Sequence, residues 1–423
     1  MTVTSGVEPI AAGAANRKEV RRRTLTVASL AHALHDGFTD LLYILLPIWQ
    51  VEFGLDYAAV GTLRALYSGT MAALQVPSSS LAGRFGGPAV LASGTALAAI
   101  GYLLAGASSG FALLAAALVI GGLGSSTQHP IAASLVAHAF EGASSRVALG
   151  TYNFAGDLGK MAVPAATALL VTLMPWRSAV MIVGSAGLVI ALAIQLSLRP
   201  SKSARAPVSA GPQAGAAAHN GMSSLARGGF PLLLTIGVID SATRMGFLTF
   251  LPFLLRAKGA EMPTIGLALT LVFAGGAAGK LVCGFLGARL GVVATVFVTE
   301  GMTALGILAL LPVPLTLGLA MLPIIGIVLN GTSSVLYGTV PELVPAARRE
   351  RAFGVFYTGA IGAGALSPVI YGAFSDAMGV PAMMQLIAAV VLATLPLAWL
   401  LRSALKRADA TAAARPPAAP AES

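Results

Sequence analysis

Two imidazoles and two carboxyl groups crowd one short run, His32-Ala33-Leu34-His35-Asp36-Gly37-Phe38-Thr39-Asp40. On a helix, positions 32, 36 and 40 share a face, with His35 close beside them. The surrounding sequence, from about 25 to 50, is apolar and long enough to cross a bilayer as one helix. Ionisable groups are costly in hydrocarbon and persist there only facing protein or a water-filled cavity, which marks them as functional candidates. A carboxyl group that is alternately wetted and paired can load and release a proton. Asp36, the nearer to mid-span, leads for that role, with Asp40 and His35 beside it. The competing reading is that one of the two acids pairs permanently with Arg64 and only locks two helices together. His32 and His35 titrate near neutral pH when unperturbed; polar packing is an equal alternative for each, and His32 is the weaker candidate.

Other apolar segments carry similar groups. Asn153, Asp157 and Lys160 fall together, the acid and the base one turn apart, with Asp157 a further proton-site candidate. Asp240 and Arg244 have the same i, i+4 spacing and read either as substrate ligands or as a self-satisfied ion pair within one helix. Lys280 has no acid on its own segment, so an unpaired ammonium there is a candidate hook for an anion. Glu300, also mid-span, reads as structural. Gln128 and His129 precede Pro130, whose missing N–H bends a helix and would present both side chains at the bend. The candidate substrate ligands are therefore Gln128, His129, Asn153, Lys160, Asp240, Arg244 and Lys280. His32, His35 and Asp36 resemble metal ligands only loosely, because no second cluster completes a metal-like spacing. No metal and no cofactor are expected. The Gly-rich stretches lack the Lys-Ser/Thr ending of a phosphate loop and suit close helix packing in lipid.

The elements that hold these groups are set by composition. The 423 residues are 56% hydrophobic and 10% charged, with a mean hydropathy of +0.83. A soluble domain carries about 25% charged residues, so this is an integral membrane protein. Strand-like alternation is absent, which favours helices over a barrel. The basic block before the first span resembles a signal peptide, but the apolar run is too long, carries two acids and lacks a cleavage site. One cysteine, Cys283, excludes a disulfide framework.

Spans fall at roughly 25–50, 58–82, 88–108, 111–139, 146–173 and 177–198, then 230–255, 263–287, 291–312, 315–340, 351–374 and 381–402. With the N-terminus in the cytoplasm, 19 of the 26 Lys and Arg lie inside, Arg177, Arg256 and Lys258 outside, and Arg64, Lys160, Arg244 and Lys280 within spans. That asymmetry places both termini in the cytoplasm. The net charge of +10 is therefore topological and implies no nucleic-acid partner. The organisation expected is a disordered basic N-terminus over 1–24, a six-helix bundle over 25–198 and a flexible cytoplasmic linker over 199–228. A second bundle over 229–402 and a disordered tail over 403–423 complete it.

The two halves repeat. Pro47 and Pro252 lie 205 positions apart, and the same shift links Gly61 to Gly266, Arg84 to Arg289, Gly86 to Gly291, Arg146 to Arg351 and Tyr152 to Tyr357. A six-span period with both halves in one orientation is a parallel-repeat transporter design, with the substrate site near the midplane. In all of this the chain resembles the major facilitator superfamily, whose signature after the second span is G-x-L-A-D-R-x-G-R-R. The stretch Ser79-Ser80-Leu81-Ala82-Gly83-Arg84-Phe85-Gly86-Gly87-Pro88 keeps the Leu-Ala, Arg and Gly positions but has Gly83 where the family has the acid of its cytoplasmic latch. The resemblance implies a gating role for Arg84 and its counterpart Arg289. Within the superfamily the chain is most similar to fosmidomycin-resistance-type exporters. The residues that carry this are the His/Asp-bearing first span, Gly122-Leu123-Gly124-Ser125-Ser126 leading to His129-Pro130, and Asn153-Phe154-Ala155-Gly156 with Gly159 and Pro164. The function expected is proton-coupled export of a small toxic or drug-like compound, anionic or amphipathic, by a monomer in the inner membrane. The alternatives are proton-coupled import of an organic anion and, more remotely, an intramembrane enzyme or a sensor.

Overall fold

A computed structural model describes residues 8–140, 142–198, 229–345 and 348–413. Its helices are α1 (Glu8–Phe53), α2 (Tyr57–Ala73), α3 (Gln75–Phe85), α4 (Gly87–Gly106), α5 (Phe111–Ser125), α6 (Gln128–Ala139), α7 (Gly142–Leu173) and α8 (Trp176–Ser197). After the linker come α9 (Phe230–Ala257), α10 (Met262–Leu310), α11 (Leu315–Leu343), α12 (Arg349–Met378), α13 (Val380–Leu392) and α14 (Thr394–Ala413). The described residues are helices and short connections, as the composition demands.

Prolines explain three of the breaks. Pro77, Pro130 and Pro396 each lie four residues beyond the point where a helix stops or turns: Ala73, Ser126 and Leu392. A proline cannot donate to the carbonyl four residues back, and its ring crowds that carbonyl. The pairs α2–α3, α5–α6 and α13–α14 are therefore interrupted rods. Corners fall at glycine: Gly54, Gly86, Gly259 and Gly291 have φ of 59°, 90°, 85° and 78°. Only glycine takes this backbone region without a Cβ clash. Gly291 lies inside α10, whose 49 residues at about 1.5 Å each would exceed twice the roughly 30 Å of bilayer hydrocarbon.

Among the described residues nine helices are long and apolar enough to cross a membrane, fewer than the twelve spans expected. The shortfall has visible causes. α10 counts once although it turns at Gly291, α2 and α3 are split at Leu74, and the polar stripe of α1 lowers its mean hydropathy.

Two expectations about the ends need correction. Helix α1 starts at Glu8, well before the expected end of disorder at 24, and α14 continues to Ala413, past the expected end of order at 402. Pro9 sits in the first turn of α1, where its missing N–H costs nothing. Extending an existing helix through Ala, Lys and Arg needs no new nucleation, and no proline follows Arg402 until Pro416. The expected linker at 199–228 and the extreme termini lie outside the described residues.

The chain forms two compact units whose bounds differ from the expected halves. The first comprises α1–α8 together with Leu251–Ala274 and Pro368–Asp376; the second holds α9 up to Phe250, Gly275–Ser367 and the residues from Ala377 on. Lipid offers no hydrophobic drive between helices, so association rests on close packing over small residues. In the first unit a Cβ on Gly159 of α7 would lie 1.9 Å from the Ala33 carbonyl oxygen of α1. One on Gly61 of α2 would lie 2.0 Å from the Pro368 carbonyl oxygen, which is why the end of α12 belongs to this unit. Asp376, also on α12, accepts from the backbone N–H groups of Tyr57 (2.7 Å) and Ala58 (2.9 Å), while Asp56 caps Ala59 (2.7 Å). The N-terminus of α2 thus meets two carboxylates, the charge its dipole favours.

At the C-terminal end of α1, Arg177 bonds Glu52 at 2.6 Å and the Ser108 carbonyl at 3.1 Å, and rests on Trp176. The Arg177 hydrogen bond holds the exposed Glu52 carboxyl below its usual range. A depressed carboxyl stabilises only above its unfolded pKa of about 4.3 and loses this as pH falls through the lower folded value. Glu52→Gln should therefore melt slightly below the parent at pH 7 and together with it in strong acid, as thermal unfolding at the two pH values would show.

Candidate functional site

The proline-interrupted joint between α5 and α6 and the glycine-lined contact of α1 with α7 bring three helices to one point. Helix α1 supplies His32, His35 and Asp36, α6 supplies His129, and α7 supplies Lys160 and the Tyr152 carbonyl. Asp36 is the hub. Its Oδ2 lies 3.4 Å from Lys160 Nζ and 3.5 Å from His32 Nε2, and its Oδ1 lies 3.9 Å from both His35 Nε2 and His129 Nε2. His35 and His129 share a 3.3 Å contact between their Nε2 atoms, which requires a proton on one of them. His32, Asp36 and His35 are buried, whereas His129 and Lys160 keep 39% and 32% of their side chains exposed. The buried hub thus has an accessible rim carrying positive charge.

His32 is more than a packing group. Its Nδ1 lies 2.9 Å from the Tyr152 carbonyl oxygen, and its ring stacks on Tyr152 at 4.1 Å. A carbonyl only accepts, so Nδ1 holds a hydrogen, and the other ring nitrogen faces Asp36. That Nε2 is buried without a hydrogen-bond partner. A proton added there would sit directly between imidazole and carboxylate. Gly156 makes room for this ring: a Cβ would lie 2.6 Å from His32 Cε1 and 2.7 Å from Asp36 Oδ2.

Ligand atoms of His32, Asp36 and His129 also lie within 4.8 Å of one another, a set that could hold a metal ion. Through Oδ2, Asp36 also faces the Lys160 ammonium, whose charge already balances the carboxylate. Burying a charged pair is tolerable when each member is hydrogen-bonded or matched in this way.

One turn further along α1, Asp40 belongs to a different cluster. Arg64, 1% exposed, donates to the Tyr43 hydroxyl at 3.0 Å, lies 4.8 Å over that ring, and is electrostatically coupled to Asp40. Tyr67 and Tyr102 close the set, bonded to Ser125 Oγ at 2.7 Å and to the Phe38 carbonyl respectively. Arg64 is thus fully buried, and of the two acids the sequence set against it, Asp40 is the one that acts on it.

In the second unit, Asp240 of α9 and Glu300 of α10 are both buried and lie within electrostatic reach of each other. Arg244 couples electrostatically to both and donates to Ser333 Oγ at 3.3 Å. It is thus tied to α11 and is not spent on its own helix alone.

The remaining candidates are placed as follows. Gln128 is buried next to the cluster, Asp157 is half-buried, and Asn153 is exposed on α7. Lys160 reaches across to α1, where the sequence suggested Asp157 as its partner. Lys280 is exposed on α10, not the buried ammonium expected. Arg84 and Arg289 are exposed, each lying over a phenylalanine of its own helix, Phe85 at 5.3 Å and Phe285 at 4.3 Å. Sequence reasoning underrated His32 and Glu300. The i, i+4 spacing of His32 and Asp36 was a usable signal; nothing local to Glu300 pointed to Asp240.

A family model described as the Major Facilitator Superfamily matches residues 28–239 and again 233–422. The Fosmidomycin resistance protein of Escherichia coli (strain K12) is 26% identical over 394 residues, 89% of this chain and 92% of that protein. Two crystal structures of a bacterial homologue of the human lysosomal transporter Spinster are similar in fold. The inward-facing, occupied form has a TM-score of 0.75 and covers 94% of this chain and 99% of that one. The inward-facing, unoccupied form gives 0.77, 95% and 99%, both at 17% identity.

Proposed function

Because the chain belongs to the major facilitator superfamily, and so is a multi-pass membrane transporter and not an enzyme, we propose that it exports a small toxic or drug-like compound in exchange for protons, by alternating access. The observation that carries this is the Asp36 hub: one buried carboxylate within 4 Å of three imidazoles and a lysine. The resistance protein among its relatives supports outward transport.

The arrangement constrains the cargo. Protonating Asp36 removes the charge that holds Lys160, so the proton and a purely anionic cargo would bind together, which is symport. A cargo that must exchange with the proton has to compete for Asp36 itself. It therefore presents a hydrogen-bond donor or a positive group to that carboxylate, whatever anionic group it places on Lys160 and the exposed side of His129. An amphipathic or mixed-charge compound meets both conditions. The second reading, proton-coupled import of an organic anion, is favoured by the Asp36–Lys160 pair alone. Everted and right-side-out vesicles with an imposed pH gradient, screened against chemically diverse compounds, separate the two. Accumulation in acid-loaded everted vesicles supports exchange, whereas accumulation only when proton and cargo run the same way establishes symport.

Within this reading the fold has twelve spans in two six-helix halves, and the protein works as a monomer in the inner membrane. The 205-residue offset supports the repeat: Gly54 and Gly259, and Gly86 and Gly291, share a positive φ, and the family model matches twice in succession. Both termini are cytoplasmic, on the strength of the Lys and Arg asymmetry. In a Cys283→Ser background, single cysteines at Val3 and Ala418 should resist impermeant reagents in intact cells. One at Ser109, between α4 and α5, should react. Labelling at 3 or 418 would reverse the orientation.

A further inference from the structure

We propose that Asp240 and Glu300 share one proton and form a second proton-loading site, within the second unit and separate from the Asp36 hub. This extends the proton-coupled reading and rests on it only for its role in transport, not for its existence. Asp240 is 3% and Glu300 2% exposed, and the two carboxyl groups lie within electrostatic reach of each other. Two carboxyl groups so placed can bond only by sharing a proton, since two carboxylates offer acceptors alone. Glu300 Oε1 is buried with no hydrogen-bond partner. Ionised, Glu300 would strand that oxygen; carrying a proton, it becomes a donor that the Asp240 carboxylate accepts.

Charge points the same way. Among the described residues, Arg244 on the helix of Asp240, the Cys283 thiol and the Thr332 side chain face the pair. Arg244 supplies a single positive charge, so one carboxylate, one carboxyl and one guanidinium make a neutral buried set. Losing the proton would leave two carboxylates against one arginine in a medium that penalises uncompensated charge. On release, the O–H bond of the acid breaks and the proton passes to water. Among the described residues, Arg244, now tied to Ser333 at 3.3 Å, is the positive charge acting on the pair and the one to meet the second carboxylate. Arg244 is therefore the element that moves when the site empties.

Infrared difference spectroscopy on the purified full-length protein, titrated across pH in water and in deuterium oxide, tests this. The parent should show a deuterium-sensitive band of a protonated carboxyl group at neutral pH. Glu300→Gln should abolish it, Asp240→Asn should abolish it, and Asp36→Asn should leave it unchanged. In vesicles, Glu300→Gln should lower the proton-to-cargo ratio by one. The amide keeps the hydrogen bond and one carboxylate still pairs with Arg244, so folding should survive; Asp240→Asn carries the same test should Glu300→Gln fail to express. A parent with no such band, or a band that survives both substitutions, would overturn the proposal. Retained gradient-driven transport in Asp36→Asn would overturn the hub assignment instead, and leaves this band untouched.

Discussion

Asp36→Asn is expected to abolish gradient-driven transport while leaving a folded protein. The amide fits where the carboxylate sat, but it neither titrates nor neutralises Lys160 at 3.4 Å. Removing one member of a buried ion pair costs about 3–5 kcal/mol. The cost here should fall at the low end, because 32% of the Lys160 side chain is exposed and water can serve it. Adding Lys160→Gln should therefore restore stability lost by Asp36→Asn without restoring transport. Asp36→Glu should instead retain transport with a shifted pH optimum. Vesicle flux under an imposed gradient, paired with thermal melts, measures both halves. Full transport by the Asn variant would move the coupling role to Asp40 or Asp157. Asp40 is the poorer substitute, since Arg64 and its tyrosines already engage it.

The second large effect is structural. Gly159→Val should prevent accumulation of folded protein, because its Cβ would sit 1.9 Å from a backbone oxygen that cannot turn aside. Helices α1 and α7 would have to separate, and forcing extra atoms into a packed contact costs about 1–3 kcal/mol or more. Gly69→Ala, with nothing within 4 Å of its added carbon, is the control and should be neutral or slightly stabilising. Gly156→Ala is the intermediate case. Its methyl meets the His32 ring and the Asp36 carboxylate, so it should spare accumulation and depress transport. A fluorescent C-terminal fusion reports the first property and vesicle flux the second. Normal accumulation of Gly159→Val would mean that the α1–α7 contact can be loosened without loss.

The sequence states which groups are present and which face of a helix they share. It does not state which helix lies opposite. Asp36 was recognisable because its cost in lipid and its mid-span depth are local properties. Three helix breaks were likewise written in Pro77, Pro130 and Pro396, and the close helix contacts in Gly156 and Gly159. The partner of Lys160 was not legible, because a same-helix acid at Asp157 and a cross-helix acid at Asp36 satisfy the spacing equally. The same holds for Glu300, which meets Asp240 sixty positions away. The full burial of Arg64 was not legible, because hydropathy marks where a span lies but not how its tyrosines enclose a charge. The reach of α1 to Glu8 and of α14 to Ala413 was not legible for the opposite reason: low hydropathy does not reveal that Ala-rich basic sequence prolongs a helix already nucleated in the membrane.

The carboxylate of Asp376 at the head of α2 carries a lesson about what mutation can reach. Its two donors are the backbone N–H groups of Tyr57 and Ala58, which survive every substitution at those positions except proline. The acceptor rests on one side chain and is lost in a single codon change. Genetic drift can therefore wear this fastening away from one side only. A saturation screen should find position 376 intolerant and positions 57 and 58 permissive apart from proline, although all three share the same two bonds.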